Sequence, residues 1–144
     1  MKLVICHFLM LCIVFLNFSC GQGKKDNIKT TTQMEQVMAI HDEVMPKMGT
    51  LAKYTAELKA KVDTTEMGQQ YEAAMKDLQN ANSSMMDWMM GFGDRFDSDE
   101  ILNGKKLTPQ KLEWLNEEEA KVKAVKEQIH SSIENAERLL GKNQ

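Results

Sequence analysis

After residue 20 the chain has no cysteine; its three are Cys6, Cys12 and Cys20. A disulfide framework is therefore excluded for the rest of the chain, and so is a Cys-His nucleophile pair. There is no Gly-rich phosphate loop, no His-Glu-x-x-His metalloprotease motif and no Ser-His-Asp order that reads as buried. A hydrolase needs a nucleophile, a base and oxyanion donors in one place, and a narrow helical chain with short turns offers few such places. The expectation is a protein that is not an enzyme. No basic patch or stripe marks a nucleic-acid footprint, so no nucleic-acid partner is expected. Proline is scarce as well, with only Pro46 and Pro109, which leaves long stretches free to be helical.

What is present begins with an address. Lys2 opens the chain, Leu3 to Phe18 is almost wholly apolar, and Ser19-Cys20 follows. A basic start, an apolar run and a small residue before the cut are the parts of a secretory signal. The run is shorter than the roughly 20 residues of a bilayer-spanning helix. Residues 1–19 are therefore expected to be removed. That takes away Lys2 and no acid, so the formal net charge moves from -3 to -4. Leu16-Asn17-Phe18-Ser19-Cys20 resembles the lipobox of bacterial lipoproteins. The resemblance implies lipidation of Cys20, which would become the first mature residue and attach the protein to a membrane. Residues 20–31, rich in Gly, Lys, Asn and Thr, read as a short flexible tether. No acidic residue follows Cys20 directly, and the sorting rules of such lipoproteins then imply an outer-membrane location facing the periplasm.

Residues 32–144 carry three apolar stripes in steps of three and four. The first runs Met34, Val37, His41, Val44, Met48, Leu51, Thr55, Leu58, Val62. The second runs Met67, Tyr71, Ala74, Leu78, Ala81, Met85, Trp88, Phe92. The third runs Leu112, Leu115, Glu119, Val122, Lys126, Ile129, Ile133, Ala136, Leu140. Thr32 with Glu35 forms a capping box at the first start, and Asp63 with Glu66 has the spacing for a second. Thr108-Pro109 opens the third helix and Gly141 closes it. Pro46 predicts a kink between Asp42 and Gly49. Gly91 and Gly93 predict a stop for the second helix near Met90. Asp94 to Leu107 reads as an irregular acidic loop without EF-hand spacing, with Phe96, Ile101 and Leu102 tucked against the open end. The fold class is all-α, an elongated up-down-up three-helix bundle with coiled-coil character. Charged seam positions in the third helix keep a homodimeric coiled coil as the rival.

The methionines carry the remaining chemistry. Ten follow Cys20, and thioethers are soft ligands suited to Cu(I), as imidazole also is. An antiparallel second helix brings Met85, Met86 and Met89 near Met38 and His41. A third helix parallel to the first puts Glu119 at the height of His41. Two readings follow. In one the methionines pack the core, and the surplus Met86, Met89 and Met90 offer an apolar surface to an envelope partner. No cofactor is then expected. In the other, His41, Met45 and Met85 hold copper, with Glu119 orienting the imidazole.

The lipobox, the stretch His41-Asp42-Glu43-Val44-Met45-Pro46-Lys47-Met48-Gly49, the stretch Ala81-Asn82-Ser83-Ser84-Met85-Met86-Asp87-Trp88-Met89 and the charged last helix together resemble small lipoproteins of Bacteroidetes, flavobacteria especially. Some of these carry the label "viral A-type inclusion protein". The resemblance implies a bacterial envelope location and brings no activity, cofactor or catalytic residue with it.

Overall fold

The computed structural model describes residues 32–142. The expected signal segment (1–19), the lipidation site Cys20 and the tether (20–31) lie outside the described residues. The described chain is all-α and bundle-like. Its elements are α1 (Gln33–Val44), a 3-10 turn (Met45–Lys47), α2 (Met48–Lys59), α3 (Glu66–Arg95), the short α4 (Ser98–Leu102) and α5 (Pro109–Leu140).

The local signals act as the sequence predicts at three places. The Thr32 hydroxyl accepts from the Glu35 amide while the Glu35 carboxylate accepts from the Thr32 amide. Thr108 caps α5 with Pro109 in its first turn, and Gly141 ends it in the left-handed region that favours glycine. Pro46 has no N–H for the Asp42 carbonyl, so α1 stops at Val44 and the chain passes through one 3-10 turn before α2 resumes at Met48.

The break leaves the register intact. Before it, Gln33 Nε2 donates to Asn116 Oδ1 at 2.7 Å, and Lys126 Nζ to Glu43 Oε2 at 2.8 Å. After it, Tyr54 Oη donates to Glu137 Oε1 at 3.1 Å, and Lys142 Nζ lies 2.7 Å from Glu57 Oε2. The partners are 83 residues apart in the first three pairs and 85 in the last. α1 and α2 therefore form one bent rod that runs parallel to α5, with α3 antiparallel to both. Val37, Val44 and Leu58 of the rod, Leu78 and Met85 of α3, and Val122 and Ile129 of α5 meet in the core at 0% exposure.

Several expectations are corrected. The first rod ends at Lys59 rather than near Val62, and Val62 and Met67 are exposed. α5 stops at Leu140, so the hairpin beyond Leu58 has no third helix to pack against. The cap of α3 is Thr65, which accepts from the Gly68 amide at 3.0 Å. Asp63 does not box with Glu66; it accepts from the amide and hydroxyl of Thr65. α3 also runs past Gly91 and Gly93 to Arg95. Trp88, Phe92 and Phe96, four residues apart, are buried with centroids 4.9 Å apart at each step, the first pair stacked and the second tilted by 41°. Burying an aromatic is worth about 1.5–3 kcal/mol, more than the 0.5–1 kcal/mol each helical glycine costs. Past Arg95, α4 forms with its own capping box between Asp97 and Glu100. Phe96 and Ile101 pack inward as predicted, but Leu102 is 77% exposed. On α5, Leu112 is exposed and the inward charged residue is Glu118, not Glu119 or Lys126. Glu117 pairs with Arg95.

Candidate functional site

α1, at the α4 end of the bundle, packs mainly against α5, while the close packing of the rod against α3 is made by α2, toward the hairpin end. α1 consequently stands off α3. A cavity of about 220 Å³ opens between them, lined by Met38 and His41 of α1, Trp88, Met89, Phe92 and Gly93 of α3, and Ile101 of α4. The spacing of three puts Met38 and His41 on one face of α1. Trp88 and Phe92 share a face of α3 by the spacing of four, with Met89 at its edge.

His41 is 16% exposed, and its Nδ1 lies 2.9 Å from Asp42 Oδ1. Its ring centroid is 5.9 Å from that of Trp88, with the planes tilted by 34°. Glu119 does not reach the imidazole. Its carboxylate accepts from Lys123 and from Gln33 Nε2, and these two bonds hold it below the ordinary carboxylate range. Met85 is wholly buried in the core, and Met45 is half-buried at the 3-10 turn; neither lines the cavity with His41. The methionines that do line it are Met38 and Met89. Met86 and Met90 face outward at 49% and 61% exposure, while Met89 is half-buried. The three-methionine surface expected from the sequence thus divides into two exposed residues and one cavity residue.

A second cluster lies outside the three stripes read from the sequence. Glu118, 2% exposed, lies 3.0 Å from Arg95 Nη1 and 2.8 Å from Lys121 Nζ. Trp88 Nε1 donates to the Glu118 carbonyl at 3.3 Å, so the same indole touches both clusters. The signal was available: Leu115, Glu118, Val122, Val125 and Ile129 step by three and four as regularly as the stripe through Glu119. The acidic loop residues are also occupied. Asp97 and Glu100 serve the cap of α4 and pair with Lys105 and Lys111. Among the described residues no group of three or more His, Cys, Asp or Glu side chains could hold a metal ion. Among them, too, no helix is long and apolar enough to cross a membrane. No family model, no curated protein and no solved structure matches this chain.

Proposed function

We propose that this chain is a non-catalytic helical interaction module of the bacterial envelope, held to the outer membrane through a lipidated Cys20 and facing the periplasm. The observation that carries the interaction reading is the pair Met86 and Met90. They are four residues apart, both exposed, on a helix whose opposite face is fully buried. Unbranched thioether side chains repack around apolar partners at little cost. The lipobox and the resemblance to flavobacterial lipoproteins support the envelope address.

The anchor is tested by the intact mass of protein extracted from membranes. Loss of residues 1–19 with acylation at Cys20 is expected; an unmodified Cys20 overturns the tether. The surface is tested with a photo-crosslinking residue placed at Met86 or Met90 in living cells, and at exposed Lys59 as the control. A discrete adduct from the two methionine positions alone is expected, and it should vanish in the Met86→Glu/Met90→Glu variant. Adducts of equal yield from Lys59, or none from the methionine positions, overturn the interaction reading.

A further inference from the structure

We infer that the cavity between α1 and α3 is a binding site for a soft monovalent cation, Cu(I), with Met38, His41 and Met89 as ligands and Trp88 against the ion. These donors share one space. Of the ten methionines after Cys20, Met38 and Met89 line this cavity, and so does His41. Two thioethers and one imidazole form a three-donor set matched to Cu(I) and poorly matched to hard, oxygen-seeking ions.

The histidine is prepared for a ligand's role. A carboxylate can only accept, so the 2.9 Å contact with Asp42 Oδ1 places the ring proton on Nδ1. The lone pair is then on Nε2, and the carboxylate fixes the ring's orientation, as it commonly does for metal-bound imidazole. Nε2 has no hydrogen-bond partner among the described residues. Every remaining group lining the cavity is apolar, aromatic or glycine. These side chains offer no competing oxygen donor.

Trp88 supplies the last element. Two neutral thioethers and a neutral imidazole leave the bound ion its single positive charge. An indole face within about 6 Å attracts such a charge. Trp88 is itself held in place by the bond from its Nε1 to the Glu118 carbonyl and by stacking on Phe92. The site stands independently of the interaction surface: Met86 and Met90 take no part in it, and neither the anchor nor a protein partner is needed.

The test is an anaerobic Cu(I) titration of the full chain in detergent against a chromogenic chelator. The three thiols are alkylated first, because Cys6, Cys12 and Cys20 would otherwise compete. One equivalent is expected to bind and to quench Trp88 emission in a Trp114→Phe background. Met38→Leu and Met89→Leu, which preserve side-chain bulk, should each weaken binding by about tenfold or more. His41→Leu should abolish it. Met45→Leu and Met86→Leu should bind as the parent does. Binding unchanged in Met38→Leu and Met89→Leu overturns the site, as does equal weakening in the Met45 and Met86 variants, stoichiometry well above one, or no binding at all. Should His41→Leu lose its helical circular dichroism, the two leucine variants decide the matter alone.

Discussion

At the α4 end of the bundle, Trp88, Phe92 and Phe96 lie in the interior, and two nearly buried carboxylates, Glu100 and Glu118, are neutralised by Lys111 and by Arg95 with Lys121. At the hairpin end there is no such aromatic ladder. Tyr54 reaches Glu137, Lys142 bonds Glu57 and lies 4.8 Å from the Tyr54 ring, and Asp63 folds the turn back on Thr65. One end is closed by buried area and paired internal charge, the other by partly exposed polar ties and a tight turn. The cavity lined by Met38, His41 and Met89 lies at the first end.

The largest effect should come from cutting the aromatic ladder. Phe92→Ala is expected to cost about 3–5 kcal/mol in chemical denaturation. Tyr54→Phe, at the hairpin end, removes only the hydroxyl bonded to Glu137 and should cost about 0.5–1.5 kcal/mol. Similar losses from the two would break the comparison.

Removing Arg95 tests the buried charge. Arg95→Met leaves Glu118 with Lys121 alone, and an under-satisfied buried acceptor costs about 1–3 kcal/mol. The exposed Lys121, replaced by Met, should cost less than Arg95→Met in the same denaturation measurement.

The glycines separate the ends by sign. At Gly68 an added Cβ would stand 2.6 Å from the Asp63 backbone nitrogen and oxygen, and closer still to its Oδ1. Gly68→Ala should therefore destabilise by about 1–3 kcal/mol, through forced movement of the turn. At Gly91 nothing lies within 4 Å, and Gly91→Ala should stabilise the helix by about 0.5–1 kcal/mol. Thermal melts of the two variants should move in opposite directions.

Acid should loosen both ends by the same mechanism. Hydrogen bonds from Lys142 and Lys111 hold Glu57 and Glu100 below the ordinary 4.5 in the folded protein. A carboxylate whose folded pKa lies below its unfolded value stabilises the fold at pH above the unfolded value. That contribution disappears as pH falls through the folded value. Melting temperature should be flat above about pH 5 and fall as the pH drops below it. Lys142→Met should return Glu57 toward 4.5 in an NMR titration and leave Glu100 where it was.

Much of this architecture is local, set by residues that are neighbours along the chain. The capping box of Thr32 and Glu35, the break at Pro46, the Thr108-Pro109 start and the Gly141 stop each depend on backbone groups within a few residues. The stripe from Ala74 through Leu78, Ala81, Met85 and Trp88 to Phe92 is buried throughout, because a regular step of three and four admits one facing direction. The rest follows from long-range packing. The stripes through Glu118 and Glu119 are equally periodic and lie about 100° apart on the helix, so the inward one depends on how α5 is rotated against two partners. The length of α3 depended on Phe96 finding a buried place beyond two glycines that, taken locally, say stop. The grouping of Met38, His41 and Met89 depended on how α1, α3 and α4 pack around one cavity, while Met85 faces the core and Met45 sits at the 3-10 turn. Periodicity records which face of a helix is apolar; the gap left between two such faces is set by the packing of all three rods together.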